Sequence, residues 1–245
     1  MFTREQLKTN AKQQLSGNWG MGVAATLIIL MITQVVSSIF GGLSYIPAMT
    51  SMILSGGEMD EAAVLALTFG SPLYYLGIAA ALLTGAVFFY GSAKFYLGLS
   101  RTNKANIADL FGAFKLFGKV LGVYFLIELF VFLWSLLFII PGIVASYRYR
   151  MAPYLLADNP DIGIWEALGK SKEMMQGHKG ELFVLDLSFI GWALLTIFTC
   201  GIGTLWLTPY MEMTYVNYYD ALRGTGSYSG IQAETVRQAE WDPER

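Results

Sequence analysis

Five ionisable side chains stand in otherwise apolar stretches of the sequence: Glu128, Arg148, Arg150, Asp186 and Glu212. Two guanidinium groups and three carboxylates could bind an anion, relay a proton, or simply pair with one another. A charge at the centre of a lipid-buried helix costs about 2.5–3.5 kcal/mol, so residues of both signs in such stretches are expected to find partners. Two other pairings have the residue types for acid–base work: Asp186 with Ser188, and His178 with Glu181. Such spacings arise often by chance, and His178 sits beside Lys179 in a polar segment where solvation is the simpler fate. The single cysteine, Cys200, excludes an intrachain disulfide and a thiolate metal site. No catalytic, metal or nucleotide motif is present, so the expectation is a protein that is not an enzyme and carries no cofactor or metal.

The elements that hold these charges follow from where charge is missing. Of 245 residues, 55% are hydrophobic and 14% are charged, against about 25% charged in an average soluble domain. The deficit is concentrated in four stretches: between Lys12 and Gly57, Ala62 to Ala93, Leu129 to Tyr147, and Leu187 to Met211. Apolar runs of about 18 residues or more read as membrane spans, whereas a buried helix of a soluble protein keeps a polar face. Arg4, Lys8 and Lys12 ahead of the first run imitate a secretory signal. The run from Trp19 to Phe40 exceeds the ~7–15 residues of a signal core, so it reads as a retained span.

The expected fold is therefore all-α: a polytopic membrane helix bundle of about six transmembrane helices with interfacial helices on the cytoplasmic face. The spans are placed at about 19–40, 72–99, 120–140, 141–157, 182–198 and 204–221. They form one domain over 1–222, followed by a polar cytoplasmic tail, 223–245, expected to lack structure. Gly41-Gly42 and Pro47 are expected to end the first helix, with a short surface helix from Met59 to Phe69. Phe111, Phe114 and Phe117 among Lys115 and Lys119 suggest an amphipathic segment on the inner face or packed beneath the bundle. A second such helix is expected after Pro160, capped by Asp158 or Asn159 and running to Met175. Gly77, Ala81 and Gly85 fall on one face of the second span, where close helix contact is expected.

Residues 120–157 are too long for one span, since a straight helix of that length would run about 57 Å. One span plus a surface segment would leave half of the basic residues on the outer side, against the positive-inside rule. A hairpin turning at Pro141-Gly142 leaves none there, and both termini are then cytoplasmic. Counted from the outer turns, Arg148 lies ~11 Å deep, Arg150 ~14 Å, Glu212 ~16 Å, Glu128 ~19 Å and Asp186 ~22 Å. Depth thus pairs Arg148 and Arg150 with Glu212 and Glu128. The cluster could be a ligand site or could hold the helices in register. Nucleic acid is not an expected partner, because the basic residues form loop clusters and not one stripe. Membrane lipids are expected partners, with a membrane protein or a second copy also open.

A set of short segments runs through the chain: Gly17-Asn18-Trp19, Pro141-Gly142-Ile143, Met151-Ala152-Pro153-Tyr154, Leu156-Ala157-Asp158, Ser171-Lys172-Glu173-Met174-Met175, Gly177-His178-Lys179, Asp186-Leu187-Ser188-Phe189, and Pro209-Tyr210-Met211. In this combination the sequence resembles the bacterial integral membrane family catalogued as domain of unknown function 975, over nearly the whole chain. The resemblance implies a polytopic inner-membrane protein with no established activity. Arg148 and Arg150 depart from the small or polar residues that the family places around Tyr147, which weakens a family-wide role for them. On these grounds the first functional reading is a non-enzymatic accessory, regulatory or lipid-organising membrane component. The second is a small permease or exporter using the charge cluster, although no inverted repeat supports it.

Overall fold

The computed structural model describes residues 3–56, 61–104 and 106–224. Among the described residues 85% are helical and there is no strand. The helices are α1 (Arg4–Leu15), α2 (Trp19–Leu54), α3 (Glu61–Phe69), α4 (Pro72–Thr102), a 3-10 helix (Ile107–Leu116), α5 (Phe117–Leu137), α6 (Ile139–Arg148), α7 (Ala152–Asp158), α8 (Ile164–Met174), α9 (Lys179–Leu187), α10 (Ile190–Phe198) and α11 (Thr204–Arg223). The tail from 225 onward and residues 57–60 lie outside the described residues.

Three antiparallel hairpins make the bundle. In the first, Gly77 of α4 packs on Phe40 of α2 while Tyr96 donates to the Gly22 carbonyl at the other end. In the second, Gly142 of α6 packs on Ser135 of α5 and Tyr149 stacks on Phe130. In the third, Tyr215 and Tyr210 of α11 meet Asp186 and Phe189 respectively. The hairpins contain no Lys or Arg from Gln13 to Ala93, Val120 to Tyr147, and Gly180 to Leu222. Apart from Arg148 and Arg150 in the second hairpin, the cations therefore gather toward where the hairpins begin and end, the basic end of the bundle.

Each hairpin is preceded by a short helix at the basic end: α1, the 3-10 helix and α8. α1 and α8 share one design. Leu7, Ala11 and Leu15 are buried along α1, and Ala167 and Ser171 along α8 with Met175 at its C-terminal cap. Each helix is then followed by a glycine, Gly17 or Gly177, at φ +85° and +84°. Nothing crowds either glycine, so its backbone conformation alone selects the residue. Cyclic closure follows, because each short helix packs on the returning helix of another hairpin: α1 on α11, the 3-10 helix on α4, and α8 on α7.

The returning helices form the core. Burial runs from Ala86 to Leu99 in α4, Ala152 to Leu156 in α7, and Pro209 to Ala221 in α11. The outgoing helices face outward with apolar side chains, such as Phe198 at 84% exposure, Leu54 at 82% and Leu136 at 72%. A soluble protein rarely presents so continuous an apolar exterior, and a lipid surround explains it. Four helical segments are long and apolar enough to cross a membrane: Trp19–Leu54, Pro72–Thr102, Ile107–Leu137 and Lys179–Phe198.

Several boundaries differ from expectation. α2 continues as one helix of 36 residues through Gly41-Gly42 and Pro47, because leaving backbone groups unpaired in an apolar surround costs more than a helical glycine or proline. The second hairpin turns at the extended Phe138, and Pro141 sits in the first turn of α6, where its missing N–H has no partner to lose. α8 starts at Ile164, after Gly163. Asp158 is taken by arginines, and Asn159 accepts the Asp161 N–H instead of capping a helix. Gly77 and Gly85 contact different helices, through Phe40 of α2 and Tyr124 of α5, since α4 lies between those two neighbours. Ala81 is exposed.

Candidate functional site

Two of the hairpin arms are broken, α6–α7 and α9–α10, and Tyr147 beside the first break meets Asp186 beside the second. Pro153 cannot donate to the Tyr149 carbonyl and its ring crowds that carbonyl, so the chain kinks between α6 and α7. The loosened backbone is held by Ser171 of α8, whose hydroxyl donates to the Arg148 carbonyl at 3.0 Å and accepts the Met151 N–H at 3.2 Å. The second break lies at Ser188-Phe189, between α9 and α10. There the Ser188 carbonyl accepts the Lys8 ammonium at 3.0 Å.

Asp186, at the end of α9, lies between the hydroxyls of Tyr147 and Tyr215, each donating at 2.7 Å. Glu212 accepts from Tyr154 at 3.3 Å. Arg150 lies over the Tyr215 ring, 4.5 Å from its centre, and its electrostatic neighbours are Tyr154, Glu212, Tyr215 and Asp186. Arg150 keeps an exposed surface beside these groups. Arg150, Glu212 and Asp186 each stand eight residues from a group at the basic end, namely Asp158, Asp220 and His178. At ~1.5 Å per residue the cluster therefore lies about 12 Å inside that end.

The expected set is thus only partly assembled. Arg150 and Glu212 come together as expected, and Asp186 joins them. Arg148 and Glu128 stand apart. Arg148 closes α6 and Arg150 lies in the break that follows it, and the two side chains have different surroundings. Arg148 lines an apolar cavity of about 260 Å³ with Trp134, Ile140 and Val144, and its Nε is buried without a hydrogen bond among the described residues. Glu128 is exposed on the outer face of α5 beside Tyr124. Of the two other pairings, His178 with Glu181 forms, with Nδ1 2.9 Å from Oε2, whereas the Ser188 hydroxyl donates to the Leu185 carbonyl and Asp186 accepts from the two tyrosines. The Tyr218 hydroxyl donates to the His178 carbonyl beside it. No group of metal-ligating side chains occurs among the described residues.

Residues that the sequence reading passed over form a second network at the basic end. Asp158 at the end of α7 pairs with Arg101 of α4 and Arg223 of α11. Arg101 also pairs with Asp220 at 2.8 Å, and Tyr219 donates to Asp158 at 2.8 Å. One charged knot thus ties the ends of all three returning helices. The available signal was positional: each returning helix has a charged residue in its last turn, and α11 carries four tyrosines whose hydroxyls need partners when buried.

With the geometry in hand, comparison with known proteins decides the affiliation. The family described as a protein of unknown function, DUF975, matches over residues 1–145 and 136–225. The chain belongs to this family. Its two matched segments overlap at the tip of the α5–α6 hairpin. No curated protein and no solved structure matches the chain.

Proposed function

We propose that this DUF975 member is a non-enzymatic component of the bacterial cytoplasmic membrane that crosses six times, keeps both ends of its helical domain inside, and organises anionic lipid around its basic end. The observation that carries this reading is the sorting of charge. Stretches free of Lys and Arg (13–93, 120–147 and 180–222) are joined by basic segments at one end, with Arg148 and Arg150 the exceptions inside the second hairpin. Cytoplasmic loops carry the excess of Lys and Arg, and anionic lipid attracts each such side chain with about 1 kcal/mol. The carboxylates in the membrane interior support the same reading, because tyrosine hydroxyls and Arg150 already engage Asp186 and Glu212. The lipid held in polymer-excised native membrane discs tests it. Enrichment of anionic phospholipid over the bulk membrane is expected, and a bulk composition would overturn the reading.

One observation favours the alternative of a small permease: two broken helices meet at the exposed Arg150, and discontinuous spans line substrate sites in many transporters. The Arg150→Cys variant, made with Cys200→Ser, separates the two. Modification by a charged, membrane-impermeant thiol reagent would mark a water-filled path and favour the permease. Protection favours the lipid-organising component.

A further inference from the structure

Beyond general attraction to anionic lipid, and resting on that reading, one groove has the shape and charge for a single lipid. We propose that the groove between α10 and α11 seats an acyl chain of an anionic phospholipid whose phosphate is held by Lys12.

The groove encloses about 300 Å³, within the range of small-molecule sites. Trp19, Trp192 and Trp206 line it with Leu195 and Leu207, and Lys12 is the one charged residue in its wall. A long apolar trough with one cation matches an amphiphile with one anionic end. It does not match a second protein surface, which would bring a polar rim of its own. α10 buries none of its side chains against the rest of the bundle, so an inserted chain would give this helix the packing it lacks. Tryptophan is also the side chain that settles where apolar tails meet polar headgroups.

The cations supply the headgroup contact. Arg4, Lys8 and Lys12 follow one another at four-residue spacing, so they share a face of α1. None is within ion-pair distance of a carboxylate among the described residues. Lys8 is committed to the Ser188 carbonyl and lies 4.0 Å over the Phe189 ring. Burial, then the nearby charges of Lys12 and Arg4, hold the Lys8 ammonium below its ordinary pKa. An anion at Lys12 would relieve that crowding. Lys12 itself lies over the Tyr210 ring, 5.4 Å from its centre, at the wall of the groove.

Native mass spectrometry of the full chain released from vesicles of phosphatidylglycerol and phosphatidylcholine tests the site. The wild type should retain one phosphatidylglycerol in preference to phosphatidylcholine. Lys12→Gln should weaken that retention about fivefold, the equivalent of the ~1 kcal/mol that one basic side chain contributes beside anionic lipid. Leu195→Trp should abolish retention by filling the groove. Leu195 is 54% exposed, so the core need not move, and an unchanged helical circular dichroism signal would confirm that. Equal retention of both lipids by the wild type overturns the proposal, as does wild-type retention by both variants. Displacement of the lipid by excess inorganic phosphate also overturns it, by marking a free-anion site. In each of those cases, persistent anionic enrichment in native discs would leave the broader lipid reading standing, and its loss would remove both.

Discussion

Removal of the Asp158 carboxylate should loosen the whole bundle, because this one side chain joins three helices. It is 11% exposed, while its partners Arg101 and Arg223 are 40% and 37% exposed. Solvent screening at the arginines limits each ion pair to about 0–1 kcal/mol. The Tyr219 hydrogen bond to a charged acceptor adds about 1.5–3 kcal/mol. Asp158→Ala should therefore cost about 2–4 kcal/mol, allowing for the two arginines left facing each other. Asp158→Asn keeps an acceptor for Tyr219 and should cost about half as much, the part assigned to the ion pairs. Reversible unfolding in mixed micelles, where denaturing detergent replaces mild detergent, measures both. The Asn deficit should shrink at high salt, since the arginines are partly solvated. A cycle with Tyr219→Phe should return a coupling of about 0.5–3 kcal/mol. If Asp158→Ala lies within about 0.5 kcal/mol of wild type, the range of an unremarkable surface change, the knot does not join the helices as argued.

Other outcomes follow from the same structure. Glu212→Leu should destabilise by about 1–3 kcal/mol by leaving the Tyr154 hydroxyl without its acceptor and Arg150 without a nearby countercharge, while Glu128→Leu, on an exposed face, should be neutral or stabilising in the same micelle assay. Ser171→Ala should cost about 1–3 kcal/mol, since it strips partners from the Arg148 carbonyl and the Met151 N–H together; a neutral result would show that the α6–α7 kink holds itself. Gly177→Ala should cost about 1 kcal/mol through left-handed backbone strain alone, because no atom lies within 4 Å of the added carbon, and Gly17→Ala should match it if the two turns are equivalent. Gly91→Ala should be far worse, because the new carbon would overlap the Leu110 backbone; unfolding at wild-type detergent concentration would contradict that close approach.

The helical class and the family were legible because both are written in local composition: long charge-free runs, and short segments in a fixed order. The partners of Arg150 were only half legible. Counting depth along straight helices put Asp186 ~8 Å deeper than Arg150, but kinks at Tyr149–Met151 and at Ser188-Phe189 bring the two to one level. Pro153 signals the first kink locally. The second has no proline or glycine, and Lys8, remote in sequence, occupies its freed carbonyl. Glu128 was misjudged because depth says nothing about azimuth, and its side of α5 faces outward. The Asp158 knot escaped for a similar reason, since it joins residues from three helices whose adjacency arises only from cyclic packing.

Cys200 makes the central claim directly testable, because it is the chain's single cysteine and lies exposed in the turn between α10 and α11. A membrane-impermeant maleimide added to intact cells should label it from outside. Ser16→Cys in a Cys200→Ser background, at the basic end, should label only after the membrane is opened. The reverse pattern would contradict a bundle whose basic end faces the cytoplasm.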